Sequence, residues 1–246
     1  MFTRRILIIA LALLLIVSLS GCFVFGGSGM TLGNGTMIDG AFTHEGSITK
    51  IVISNIGATI NLTPESSGEL TYTIDENLED LLEITHRNGV LQIGTRNNRS
   101  ISSNQGIRFY ISTDALEEIL VDGAAAIRGQ GTFTAETFAL EINGAGNADL
   151  ALDAQNVSVE LNGAASVTLS GTAEHFRAGL AGAGSISARS LLAQHANVSL
   201  EGVGTIQVHA ELSLDASAEG VGSITYWGNP ELTSFAEGLA TIRRGD

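Results

Sequence analysis

The sequence predicts an all-β chain: a right-handed parallel β-helix of about seven short coils, preceded by a β-strand section and, before that, a helical signal peptide. Three observations predict it. A Gly-x-Gly/Ala motif returns seven times, with its first glycine at Gly123, Gly144, Gly163, Gly182, Gly202, Gly220 and Gly238. That period of about twenty residues suits one solenoid coil and is too short for helix-pair repeats. Residues on either side of each motif alternate between aliphatic and polar, the period of a strand with one face buried. Glycine is abundant, at 30 residues, and proline scarce, at 2, which points to fixed corners rather than to a collagen-like or Pro-rich chain.

The columns carry the argument. Four residues after each glycine stand Ile127, Ala148, Val167, Ile186, Ile206, Ile224 and Ile242. Two before it stand Val121, Ile142, Leu161, Leu180, Leu200, Ala218 and Ala236, and two after it only Gly or Ala. Stacking coils at about 4.8 Å would set like residue on like. Even offsets then face inward and odd offsets face solvent. Small residues are required where the coil bends and backbones approach closely. A parallel crossover within one sheet is nearly always right-handed, so residues 121–246 are read as the regular helix. An antiparallel sandwich also alternates, but it gives no reason for columns to match coil after coil. Aromatics are only 5% of the chain, so the core is expected to be Ile, Leu, Val and Ala.

Residues 37–120 hold strands with a weaker repeat: ITKIVIS, ATINLT, ELTYTI, LLEITH, VLQIG and IRFYI. Asn88-Gly89 between two of them is a hairpin signal. These strands are expected to continue the same body, 37–246, and to cap one end, since an open β-helix end invites edge-to-edge pairing.

The first 21 residues read as a lipoprotein signal peptide. Arg4 and Arg5 precede a run of Ile, Leu, Ala and Val, the charged and apolar regions of an export signal. Leu19-Ser20-Gly21-Cys22 resembles the bacterial lipobox, and Cys22 is the only cysteine, so no internal disulfide forms. The resemblance implies a lipidated Cys22 as the first mature residue and the membrane as a partner through it. An uncleaved anchor and an ordinary signal peptide are the alternatives. Phe23 stands where a retention aspartate would, which favours the outer membrane if the cell has two and otherwise the extracytoplasmic face. Residues 22–36, rich in glycine, read as a tether.

The net charge of −14 repels nucleic-acid phosphate, so no nucleic-acid partner is expected. Candidate chemistry is sparse. His175 and His195 lie seven residues before their glycines, so they should stack on adjacent coils, with Asn156 before them and Glu231 beyond. Two imidazoles there could share a metal; a solvated turn is the default. The other histidines are His44, His86 and His209. One residue before each glycine runs an acidic ladder, Asp122, Asn143, Asn162, Ala181, Glu201, Glu219 and Glu237, which could bind Ca²⁺ or form a hydrated face. No nucleophile, base and orienter group together, and no helix follows the Gly-x-Gly motifs, so they are corners and not nucleotide fingerprints. No catalytic residue and no cofactor is expected.

ITKIVISNIGATINLTP, LEEILVDGAAAI, the repeated Gly-x-Gly/Ala motifs and Tyr226-Trp227-Gly228-Asn229-Pro230 together resemble the bacterial head GIN domain, a family of unknown function described as an autotransporter adhesin head. The resemblance covers roughly residues 45–242. It implies a β-helical fold and a secreted or lipid-anchored location, and it supplies no catalytic residues. The expected function is a lipid-anchored cell-envelope protein with an adhesion-type surface for an envelope protein or glycan. A carbohydrate-active enzyme, lyase-like or hydrolase-like, on the same scaffold is the alternative, and a purely structural role a third.

Overall fold

The computed structural model describes residues 29–246. The expected signal peptide, the expected lipidation site Cys22 and the start of the expected tether lie outside the described residues. The expected solenoid is present, joined to a strand section at its N-terminal end.

In that section the strands are β1 (Thr31–Leu32), β2 (Met37–Thr43), β3 (Lys50–Thr63), β4 (Glu69–Asp75), β5 (Leu82–Arg87), β6 (Val90–Thr95), β7 (Ile101–Ser102) and β8 (Ile107–Ser112). The two halves of β3 pair in parallel with β6 and β8 on one side and with the first solenoid strand on the other. Strand β4 then lies antiparallel on β8, and β2 antiparallel on β4. The stack therefore ends in antiparallel strands that cover its first tier, with Leu70, Ile74, Leu78 and Phe109 buried there. Asn88 and Gly89 join β5 to β6 with φ of 52° and 80°, the left-handed pair that a two-residue hairpin turn requires.

The packed body starts at Thr31, inside the segment expected as a tether. Strand β1 pairs with β7. The buried Asp75 carboxylate accepts the Gly35 amide at 2.7 Å, and a side chain at Gly33 would collide with that carboxylate.

The solenoid strands are β9 (Glu118–Ile142), β10 (Ala145–Leu161), β11 (Ala164–Leu180), β12 (Ala183–Leu200) and β13 (Val203–Ala218), each covering most of a turn. Strands β14 (Val221–Trp227) and β15 (Glu231–Ala236) share the next turn, and β16 (Leu239–Arg244) begins another. Seven corner glycines bound six complete turns, which refines the expected count of about seven. Every pairing from β9 to β16 is parallel, so the sandwich reading does not apply.

Registration follows the predicted columns. Ile127, Ala148, Val167, Ile186, Ile206, Ile224 and Ile242 stack in one line, and Ala125, Gly146, Ala165, Gly184, Gly204, Gly222 and Ala240 in another. From Ile127 through Ile224 the first column is buried. Full burial of one such side chain is worth about 1.5–3 kcal/mol, so each column is a major stabilising term. The core is not purely aliphatic, however. Phe133, Phe138 and Phe176 are buried inside the coils, where large rings fill the width of the cross-section. Apart from these and Phe109, the buried hydrophobic residues are Ile, Leu, Val and Ala, the core that was expected.

Candidate functional site

The columns seven, six and five residues before each corner glycine run along one face. The middle column, Phe138, Val157, Phe176, Ala196 and Leu214, points inward and is buried. Its neighbours point out because side chains alternate faces along a strand. On one side stand Thr137, Asn156, His175, His195, Ser213 and Glu231 in register. On the other stand Ser158, Arg177, Asn197, Asp215 and Thr233. Together they wall an open trough of about 590 Å³ that crosses the tiers.

His175 and His195 do stack, with ring centroids 5.1 Å apart and planes 20° from parallel. His195 Nδ1 lies 2.7 Å from Ser213 Oγ, a bond that fixes the ring against the next tier. His175 Nε2 stands 3.7 Å from Glu174 Oε1 on its own strand. The two rings face each other rather than converging on a shared point. Among the described residues no group of three His, Cys, Asp or Glu side chains is placed to hold a metal ion.

Arg177 and Asn197 also line a second hollow of about 300 Å³ with Glu160, Asn162, Ser199 and Glu201. Gly179 makes room for it. The column there runs Glu141, Glu160, Gly179, Ser199, and the Glu160 carboxylate lies over Gly179, where any β-carbon would strike it. Burial pushes the Glu160 carboxyl above its ordinary value, the Arg177 guanidinium opposes that shift, and Glu141 and Glu201 add to it. The face thus presents guanidinium, amide, hydroxyl, imidazole and carboxylate groups side by side at tier spacing.

The predicted acidic ladder is an amide chain in its first half. Asn143 Nδ2 donates to Asp122 Oδ1 at 3.1 Å and to Glu141 Oε1 at 2.7 Å, and Asn162 Nδ2 donates to Asn143 Oδ1 at 2.9 Å. The side-chain amide hydrogens there bring partial positive charge to Asp122 and Glu141, where a cation would otherwise bring its own. Glu201, Glu219 and Glu237 continue the column as exposed side chains.

The sequence reading did not single out Arg177, Asn197, Ser213 or Asp215. The available signals were the column seven residues before each glycine, where Ser213 follows His195, and the polar column five residues before it, which the aliphatic columns overshadowed. Nor did it place His44 beside His86, whose ring centroids lie 5.0 Å apart in the N-terminal section. His209 Nε2 instead lies in hydrogen-bond contact with Glu211 Oε1 at 2.7 Å on its own strand, β13.

A family described as "Putative auto-transporter adhesin, head GIN domain" matches residues 49–230. Three crystal structures share the fold. A "putative adhesin" of Bacteroides fragilis is 25% identical, with a TM-score of 0.80 over 87% of this chain and 99% of its own. A "putative lipid binding protein" of Parabacteroides distasonis is 22% identical, with a TM-score of 0.71 over 89% of this chain and 100% of its own. A "putative adhesin" of the same species is 19% identical, with a TM-score of 0.66 over 88% of this chain and 100% of its own. No curated protein matches the chain.

Proposed function

The chain belongs to the head GIN domain family, and on that premise we propose that it is a non-catalytic envelope head, lipid-anchored through Cys22, whose trough binds an extended glycan. The trough is the observation that supports this reading. Its walls repeat at strand spacing, and its lining of Arg177, Asn197, Asp215, His175 and Ser213 offers hydrogen-bonding groups in both senses. Hydroxyl-rich chains are recognised by such planar polar groups, whereas a protein partner would call for buried aromatic anchors at the centre of the patch. The acidic surface makes nucleic acid an unsuitable occupant. Acyl chains on Cys22 would hold the head on a membrane, since each buried CH₂ contributes about 0.8 kcal/mol.

Binding of envelope polysaccharide by the full chain in detergent tests the trough. Arg177→Ala and Asn197→Ala should each weaken capture about tenfold, matching the loss of a hydrogen bond to a charged or planar group. Unchanged capture in both variants overturns the trough assignment. Release of new reducing ends from the polysaccharide would favour the enzyme reading instead. Labelled palmitate incorporated by the native chain and not by Cys22→Ser tests the anchor.

A further inference from the structure

The two ends of the solenoid differ. At the N-terminal end, antiparallel strands cover the first tier. At the other end, among the described residues, nothing packs on the last tier, and the core columns are cut open. Leu214 is 1% exposed, while Leu232, directly next in its column, is 39% exposed. Phe235, 53% exposed, and Leu239, 77% exposed, stand beside it in outward columns and add apolar surface to this end. The backbone edge is open as well. Leu239 and Gly245 donate their amides to Gly220 and Tyr226 of the tier before. By strand alternation the amides of Ala240, Ile242 and Arg244 face away from the stack.

We propose that this end is a self-association surface, occupied by the same end of a second copy through antiparallel pairing of β16 with β16. The strand is complementary to itself. Glu237 stands just before the corner at Gly238 that opens β16, and Arg243 and Arg244 close the strand, so the acidic and basic ends of this edge are opposed. Reversed on a twofold axis through Thr241, it sets Ala240 opposite the partner's Ile242 in a hydrogen-bonded pair. Both of these residues belong to inward columns, so the pleats of the two copies agree. The corner carrying Glu237 then lies beside the basic end of the partner's β16, with the partner's Arg243 opposite Leu239, so two long side chains of opposite charge can meet there. A head-to-tail contact would instead set β16 against the other end of the stack, which antiparallel strands already cover. A twofold contact is also closed, so it yields a pair and not a fibre. The open edge is thereby used once and removed as an aggregation template.

Sedimentation of the full chain in detergent, across the micromolar range, tests the proposal. A dimer is expected. Glu237→Arg alone and Arg243→Glu alone should each weaken it at least tenfold, and the double reversal should restore it. Ala240→Pro, which removes an outward-facing amide and no bond to the tier before, should abolish it. A Thr241→Cys variant in a Cys22→Ser background should form a disulfide-linked dimer on mild oxidation, because residues facing across a non-hydrogen-bonded antiparallel pair are close enough to bridge. Far-UV circular dichroism confirms that each variant is folded. A monomer throughout the range overturns the proposal. So does a dimer that persists in every variant, which places association elsewhere, or a double reversal that fails to restore it.

Discussion

Gly163 sits directly on Gly144: a β-carbon built on Gly163 would overlap the Gly144 carbonyl oxygen of the tier before. The same relation recurs from Gly182 to Gly163, from Gly202 to Gly182 and from Gly220 to Gly202. The corner column is thus a backbone-on-backbone contact, held by hydrogen bonds such as the one the Ala164 amide donates to the Gly144 carbonyl oxygen at 2.8 Å. The motif that defines the repeat is a steric requirement of tier spacing. Gly163→Ala must push two tiers apart, and overpacking of this kind costs up to about 3 kcal/mol. A urea titration followed by circular dichroism should show that loss, and a variant as stable as the native chain would mean that the corners can open.

Ile206 tests the aliphatic ladder. It is fully buried between Ile186 and Ile224 in the same column. Ile206→Ala should cost about 3 kcal/mol, from lost transfer energy and the cavity left behind. Val203, three residues earlier, points outward and is 58% exposed, so Val203→Ala should stay within about 0.5 kcal/mol. Equal losses at the two sites would show that inward and outward faces had been misassigned.

The solenoid was legible because its columns repeat. One aliphatic or small position can arise by chance, whereas Ile186, Ile206, Ile224 and Ile242 at one offset record a common environment. Asn88-Gly89 was legible because only such residues accept two left-handed φ values in succession. Other features left no periodic trace. Residues 64–117 leave the stack and return to it, so nothing in their order shows that β3 lies between β8 and β9. The column holding Phe138 and Phe176 also carries Val157 and Ala196, and such mixed sizes read weakly. Outward positions are free to vary, so Arg177, Asn197 and Asp215 became a wall only once the register was known.

Glu160 carries the pH dependence of the trough's flank. Its carboxyl lies above the ordinary value because of burial, with Glu141 and Glu201 adding to the shift and Arg177 opposing it. A raised carboxyl binds its proton more tightly in the folded state than in the unfolded one. Its contribution is therefore fully present below the ordinary carboxylate value and is lost as pH rises through the folded value. Glu160→Gln removes the charge that is penalised at neutral pH. The variant should be slightly more stable than the native chain at pH 7, and the gap should close by about pH 4. Solvent screening keeps the effect small. Urea midpoints at the two pH values measure it, and a variant less stable at pH 7 than at pH 4, relative to the native chain, contradicts the assignment.

Trp227 is the chain's single tryptophan and reports on the last tier. Arg189 Cζ stands 4.4 Å from its ring centroid, and its Nε1 donates to the Asp246 carbonyl oxygen at 3.2 Å. Gly245 lies against the ring so closely that a β-carbon there would enter it. The terminal residues are therefore pinned by an indole and a guanidinium, beside β15, whose six residues are all exposed. In a stack where each tier contacts only its neighbours, an end tier with few buried groups opens first. In dilute solution the tryptophan fluorescence should change at a lower urea concentration than the far-UV circular dichroism. Arg189→Ala removes a cation–π contact worth about 0.5–1 kcal/mol at such a site, so it should widen the separation and leave the circular dichroism midpoint unchanged. Coincident transitions in both proteins would mean that the last tier unfolds together with the five turns before it.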